Sequence, residues 1–235
     1  MALYKEQGIV LRAIKLGEAD RIVTLLTQGS GKIRAVAKGI RKTRSKFGAR
    51  LEPFTHVDLL MYKGRELDIV TQADIITSFR TIRDDYSRFA AGEMILEAAD
   101  RVIEDRERNT RMFMLVLNAL RRLVEDPDPG VVADGYLLRV TAMAGFRPSL
   151  SACAECGKPD VGRFSIQQGG MVCDGCRSGG TIRVGEGTVP YLTALLDDRD
   201  VSVRDDTRRE ASNIVRAYLE YHLNRPLRAW AHVPR

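Results

Sequence analysis

Residues 8–38 decide the fold of the N-terminal third of this chain, and their sequence is GIVLRAIKLGEADRIVTLLTQGSGKIRAVAK. The segment contains three short apolar and β-branched stretches, separated by stretches rich in glycine and polar residues. This pattern predicts three β-strands joined by tight turns, over residues 8–15, 21–27 and 32–38. Strict alternation in the third stretch places Arg34 and Lys38 on the same outer face, because successive side chains of a strand point to opposite sides.

Two further stretches, 55–62 and 67–76, have the same character and are joined by a polar turn at 63–66. Five short strands within roughly 80 residues are typical of a small Greek-key barrel such as the OB-fold. We therefore expect residues 1–78 to form a five-stranded OB-fold barrel.

From residue 78 onward the apolar residues recur at steps of three and four, which predicts helices. We expect one long helix from Phe79 to Ile103, then helices over 112–123, 131–144 and 188–196, and a last helix capped by Asp205 or Asp206. The predicted fold class is therefore α+β and multidomain. The barrel is followed by a helical domain made of 79–150 and 181–235, into which a ribbon at 151–180 is inserted.

The chain contains four cysteines, Cys153, Cys156, Cys173 and Cys176, in two C-x2-C pairs. Two residues between cysteines allow one tight turn to direct both thiolates to a common point, and a second such turn completes a tetrahedron. We expect a structural Zn²⁺ site. Four thiolates leave no open position for catalytic water, and a pair of disulfides is the weaker alternative in a reducing cytosol.

The segment between Asp20 and Glu52 carries nine Lys or Arg residues and no carboxylate. Residues 1–80 hold 15 basic and 8 acidic residues, a net charge of +7, whereas the whole chain carries +6. Such a segment attracts nucleic acid, the most common extended anion in a cell. The alternative is a solvated basic loop without a specific partner. The predicted DNA contacts are Lys32, Arg34, Lys38, Arg41, Lys42, Arg44, Lys46 and Arg50.

Three aromatic residues, Phe47, Phe54 and Tyr62, lie in or beside this basic segment. We expect Phe54 and Tyr62 to pack in the core. Phe47 lies in the polar stretch 39–50, for which we expect a mobile loop, and it is a candidate for stacking on bases, with core packing as the alternative.

No pattern in the chain predicts catalysis. Residues 29–32 have the sequence Gly-Ser-Gly-Lys, but Leu26 replaces the first glycine of a P-loop and Ile33 replaces its hydroxyl residue. Adjacent carboxylates do not face one another on a helix. They occur at Asp84-Asp85, Asp197-Asp198 and Asp205-Asp206. We therefore expect a binding protein and not an enzyme, although a two-metal nuclease site assembled from distant residues is an alternative.

Several of these segments resemble the bacterial recombination-mediator and DNA repair family RecO. The similarity is clearest near the N-terminus, and it includes the cysteine quartet and the sequence Asn-Arg-Pro-Leu-Arg at 224–228. Some members of that family lack the quartet, which implies that zinc is not essential to the family's activity. The other matching segments are 8–12, 17–27, 31–39, 44–54 and 66–76.

The resemblance implies an N-terminal OB-fold, a helical C-terminal domain and a zinc ribbon. It also implies binding of single- and double-stranded DNA, annealing of complementary strands without ATP, and help in loading the recombinase RecA. The partners implied are RecR, possibly RecF, and the acidic tail of single-stranded-DNA-binding protein.

Other functions remain open at this point. A zinc-ribbon accessory factor of transcription or replication would read duplex sequence, and an adaptor would hold an acidic peptide with the same cations. No apolar run approaches the roughly 18–20 residues that span a bilayer, and the first seven residues lack the core of a signal peptide. We expect a cytoplasmic, nucleoid-associated bacterial protein without a membrane partner.

Overall fold

A computed structural model describes residues 2–159, 161–224 and 226–229 of the chain. Arg225 of the C-terminal motif and residues 230–235 of the expected helical domain lie outside the described residues. The chain separates into two compact units, the first made of Met1–Val132 with Arg228–Arg235 and the second of Ala133–Leu227. The finer division expected at residues 78, 150 and 180 stays a prediction.

The first unit begins with five strands, β1 (Leu3–Leu16), β2 (Asp20–Thr27), β3 (Gly31–Ala37), β4 (His56–Tyr62) and β5 (Asp68–Thr77). They form a closed barrel in the order β1-β2-β3-β5-β4. Only β3 and β5 pair in parallel. The expected OB-fold-like architecture is confirmed. β1 begins before the predicted start at Gly8, because β4 provides backbone partners for its first residues.

Inward side chains of all five strands fill the barrel, together with three residues of the connection between β3 and β4. Ile40, Phe47 and Leu51 belong to the same buried cluster as the strand residues. Backbone hydrogen bonds close the turns of this connection, for example the 3.1 Å bond that Lys42 N donates to Gly39 O. The segment 39–50 is therefore an anchored connection and not the free loop that its polarity suggests.

Three helices complete the first unit, α1 (Arg80–Asp84), α2 (Tyr86–Val102) and α3 (Thr110–Glu125). The single long helix predicted from Phe79 to Ile103 is wrong, because Asp85 has an extended backbone and its carboxylate accepts a 2.8 Å hydrogen bond from Arg88 N. Asp85 thus caps α2. A Cβ added at Gly92 would lie 2.7 Å from the Phe54 ring, so the missing side chain allows α2 to approach the barrel closely.

The second unit contains most of α4 (Pro129–Met143), then α5 (Thr188–Leu196) and α6 (Asp205–His222). A small antiparallel sheet of order β7-β6-β8 lies between α4 and α5 in the sequence, built from β6 (Arg163–Ser165), β7 (Gly170–Val172) and β8 (Ile182–Arg183). The helical prediction is confirmed. The predicted caps of α6 are wrong, because Arg204 is the N-cap and both aspartates lie in the first turn. Within the described residues, no helix has the length and apolarity needed to cross a membrane.

Candidate metal centre and nucleic-acid interface

The four cysteine side chains converge in the second unit, where their sulfur atoms all lie within 4.8 Å of one another. The Sγ atoms of Cys156 and Cys173 are 3.7 Å apart. A tetrahedral ion with sulfur ligands at about 2.3 Å requires sulfur atoms about 3.8 Å apart. All four cysteines are free thiols, and the structure contains no disulfide between them. The donor set fits one metal ion.

Two tight turns and one hairpin place these ligands. Gly157 N donates to Cys153 O at 2.9 Å, and Cys176 N donates to Cys173 O at 3.1 Å, so each C-x2-C pair closes its own turn. Gly157 has a φ of 73°, a conformation that favours glycine. The pairing of β6 with β7 then brings the second pair beside the first, and Ala154 N donates to Met171 O at 2.8 Å.

The electrostatics of the quartet favour a bound cation. Backbone N–H groups of Cys156 and Cys173 lower the pKa of the Cys153 thiol to about 6. Hydrogen bonding with the sulfurs of Cys156 and Cys173 raises the pKa of Cys176 to about 12. Four thiolates at this spacing repel one another unless a dication neutralises them. The site therefore requires a metal ion to deprotonate fully, and cysteine sulfur is a preferred ligand of Zn²⁺.

A separate group of cations occupies β3 and the connection that follows it in the first unit. Six predicted DNA contacts in this region are exposed to solvent, and Arg50 is half-buried. Among the described residues, none of these seven cations forms an ion pair. Their charge is therefore free to act on a ligand. The exposed six, which we call the basic rim, are Arg34, Lys38, Arg41, Lys42, Arg44 and Lys46.

Backbone carbonyls hold parts of the basic rim without neutralising it. Arg41 donates to Gly17 O at 3.1 Å and to Glu18 O at 2.8 Å, in the turn between β1 and β2. Lys46 donates to Thr71 O of β5 at 2.7 Å. The connection thus extends from the β1–β2 turn to β5. Carbonyl partners restrict these side chains while their positive charge remains.

Lys32 does not belong to this surface, which corrects its assignment as a DNA contact. Its side chain is only 12% exposed, and its Nζ lies 3.6 Å from Asp100 and 3.3 Å from Asp105. It also donates to Asp100 O at 2.5 Å. The loop after α2 lies against β3 here, since Arg106 N donates to Lys32 O at 2.8 Å. A phosphate would have to displace these partners.

Arg21 is also neutralised, by a carboxylate that lies 31 residues further along the chain. Its guanidinium lies 2.9 Å from Glu52 Oε1. The pair forms because the connection between β3 and β4 brings Glu52 back to the start of β2.

The stacking role considered for Phe47 is contradicted by its burial. Its side chain is 1% exposed and lies in the barrel cluster. Lys46 Nζ lies 5.1 Å from the ring centroid, so a cation approaches the ring while no base can reach its face. Phe54 is fully buried, as expected, whereas Tyr62 is 40% exposed and the expectation of core packing for it is wrong.

Some exposed cations on the barrel wall or its turns are not among the predicted DNA contacts. Lys63 and Arg65 follow β4 in the β4–β5 turn and are exposed. Arg12 is 54% exposed and lies opposite Thr24, which in turn lies opposite Arg34. Arg12 and Arg34 therefore share the outer face of three adjacent strands. Strand register places Arg12 beside Arg34, and the charge density along the sequence does not show this proximity.

The adjacent carboxylates do not gather around a common point. In the described part of the chain, the cysteine quartet is the only group of three or more metal-ligating side chains at metal-binding distance. The aspartates instead serve helix ends and ion pairs. Asp84 pairs with Arg80 at 3.2 Å, and Asp197 pairs with Arg199 at 3.1 Å.

Two family models match the chain. The one described as "Recombination protein O N terminal" matches residues 1–79, and the one described as "Recombination protein O C terminal" matches residues 83–231. Together they account for almost all of the sequence.

Curated relatives match over the full length. A protein named "DNA repair protein RecO" from Thermobifida fusca (strain YX) is 46% identical over 237 aligned positions, covering 97% of each chain. Proteins of the same name from Nocardioides sp. (strain ATCC BAA-499 / JS614) and Frankia casuarinae (strain DSM 45818 / CECT 9043 / HFP020203 / CcI3) are 48% and 47% identical. The alignment with the Nocardioides protein covers 99% of this chain and 100% of that relative. The alignment with the Frankia protein covers 100% of both chains.

Proposed function

We propose a DNA-binding and strand-annealing function for this chain, which belongs to the RecO family of DNA repair proteins. Its general role is in recombinational DNA repair, and the family resemblance seen in the sequence is confirmed. The finer proposal is that it binds single and double strands, anneals complementary strands without ATP and helps to load recombinase.

The single observation that carries the proposal is the basic rim. Its six exposed cations form no ion pair among the described residues, and carbonyls at two points hold the connection that bears five of them. A polyanion gains counterion-release free energy there without having to break internal ion pairs. Annealing requires two DNA strands, both negatively charged, to approach each other. Cations between the strands lower the electrostatic repulsion between their phosphates. Phosphate contacts without base readout leave the bases free to pair.

We assign the metal a structural role. Four cysteine ligands complete the coordination sphere of a tetrahedral ion, and Zn²⁺ is the ion that this donor set prefers. The ion would stabilise the small β6–β8 sheet, whose short strands offer few hydrogen bonds of their own. We propose that the protein is not an enzyme. We also propose that its partners are those of the RecO family, namely RecR, possibly RecF, and the acidic tail of single-stranded-DNA-binding protein.

The test replaces Arg34, Lys38, Arg41 and Lys42 by alanine and titrates labelled single strands at several salt concentrations. If all four contact phosphate, the slope of log K against log salt becomes shallower by about 0.7 per lost contact. The matched control removes the same charge from the second unit, with Arg177, Arg183, Arg199 and Arg209 changed to alanine; all four are exposed. Equal slopes for wild type and the rim variant would refute the assignment.

Two further measurements separate the remaining functions. Strand annealing is followed without nucleotide, and the rim variant should anneal more slowly than the control. Labelled strands are also incubated with Mg²⁺ or Mn²⁺, where cleavage would support the nuclease alternative. A strong preference for particular duplex sequences would instead support the accessory factor of transcription or replication.

A further inference from the structure

The four cysteines of the metal centre differ in how far they are open to solvent. Cys153 is 3% exposed, Cys173 and Cys176 are partly exposed, and Cys156 is the most exposed of the quartet. A Cβ added at Gly157, directly after Cys156, would meet no atom within 4 Å, so this turn borders open space. Metal ligation keeps each cysteine a thiolate, and the reaction of a thiolate with an oxidant follows its exposure. A small oxidant therefore reaches the quartet first at Cys156.

The nearest way to oxidise two ligands together is a bond between the two C-x2-C turns. Cys156 and Cys173, which we call the outer pair, come one from each turn, and their Sγ atoms are 3.7 Å apart. A disulfide holds its sulfur atoms about 2.05 Å apart, so the two atoms of the outer pair need to approach by less than about 2 Å. A small movement of the exposed turns allows this bond to form.

One side chain joins the two turns without help from the metal. Gln168 Nε2 donates to Cys176 O at 2.9 Å and to Glu155 Oε1 at 3.2 Å. Ser178 Oγ donates to Gln168 Oε1 at 3.0 Å. These hydrogen bonds reach both turns, and none of them involves a sulfur atom. They hold the outer pair side by side when the ion leaves.

The ribbon is attached to α6 through aromatic rings. Phe164 of β6 is 1% exposed, and its ring centroid lies 5.7 Å from that of Tyr218 on α6, with the rings at 73°. β6 and β7 pair over only three residues, so few backbone hydrogen bonds fix Phe164 in place. The free energy of binding a structural metal ion stabilises the fold around it. Loss of the ion therefore loosens the packing of β6 on α6.

We infer that the quartet is a peroxide-sensitive switch, in which oxidation of the outer pair releases the metal ion and loosens the contact between Phe164 and α6. The Cys156 thiolate attacks one oxygen of hydrogen peroxide, the O–O bond breaks, and hydroxide leaves. The Cys173 thiolate then attacks the oxidised sulfur, the S–S bond forms, and a second hydroxide leaves. Both hydroxides take up a proton. Two thiolates thus lose two electrons, and one peroxide becomes two waters.

Two cysteine ligands remain for the ion after this step, too few for a stable Zn²⁺ site. A dithiol reverses the bond by exchange, and the site can then bind zinc again. The inference rests on the metal assignment proposed above. It concerns the second unit, whereas the basic rim lies in the first, so its failure leaves the DNA-binding proposal standing.

The test treats the full-length, zinc-loaded protein with hydrogen peroxide. A colorimetric chelator measures released zinc, and mass spectrometry of tryptic peptides locates the disulfide. Trypsin cleaves after Arg163, between the two cysteine pairs, so a bond between Cys156 and Cys173 links two peptides. A bond within one pair links none. We expect one zinc ion released for each linked pair of peptides, and recovery of bound zinc after treatment with dithiothreitol and zinc.

Cys156→His and Cys153→His form a matched pair of variants, because each keeps four ligands of kinds that structural zinc sites use. Cys156→His removes the exposed thiolate and should release zinc at least about tenfold more slowly than wild type. Cys153→His keeps the outer pair and should release zinc within about twofold of the wild-type rate. Equal rates for the two variants overturn the proposal. If either variant fails to bind zinc, the peptide map of the wild type decides.

Hydrogen exchange followed by mass spectrometry tests the coupling to α6. Amides of α6 should exchange faster after oxidation, while those of α3 in the first unit should not change. Unchanged exchange in α6 overturns the coupling. Zinc that stays bound under peroxide sufficient to oxidise free cysteine overturns the switch, as does release with a bond other than Cys156–Cys173. Absence of zinc before treatment would overturn the metal assignment together with this inference.

Discussion

Replacing Phe47 by alanine tests whether this aromatic ring supports the barrel or contacts DNA. The ring is 1% exposed among inward side chains of the barrel. A fully buried phenylalanine covers roughly 150–250 Å², equivalent to about 4–6 kcal/mol of transfer free energy at about 25 cal/mol per Å². Since alanine keeps the Cβ, we expect Phe47→Ala to lower the free energy of unfolding by about 3–5 kcal/mol. Urea unfolding followed by circular dichroism measures the change.

The control for this substitution is Phe89→Ala, because Phe89 belongs to the same unit and is 38% exposed. Its loss should be under about 2 kcal/mol. Phe47→Leu separates packing from stacking, since leucine fills most of the cavity but has no ring face. It should cost about 1–2 kcal/mol and leave single-strand affinity unchanged. A Phe47→Leu protein of nearly normal stability that binds DNA much more weakly would refute the core assignment.

Three further predictions concern other parts of the chain. Burial raises the pKa of Asp134 to about 7, so the folded state holds a proton that the unfolded state loses near pH 4. The free energy of unfolding should therefore fall by about 1.4 kcal/mol per pH unit as pH rises from about 4 to about 7. Urea titrations at several pH values measure this slope, and Asp134→Asn should abolish it. Cys153→Ser with Cys156→Ser should reduce bound zinc from one ion per chain to none by atomic absorption, with lower thermal stability; full zinc content would contradict the quartet. Lys32→Met should lower stability by about 1–3 kcal/mol because it removes the cation shared by Asp100 and Asp105 and leaves Arg12 as the ion-pair partner of Asp100. Single-strand affinity measured by anisotropy should fall less than in Arg34→Ala.

The local features of this protein were visible in its sequence. Alternation with period two predicted the barrel strands, and steps of three and four predicted the helices. The two C-x2-C pairs predicted a site that the hairpin of β6 and β7 then forms. These patterns involve residues close together in the chain, so strand and helix geometry alone place their side chains.

The roles of individual side chains in the basic segment depended on residues far away in sequence. Lys32 is neutralised by Asp100 and Asp105, which the loop after α2 brings to β3. Phe47 lies in a polar stretch, yet it is buried because that stretch covers the barrel cluster. Charge density showed that the barrel domain is cationic, whereas only tertiary contacts decided which cations remain free.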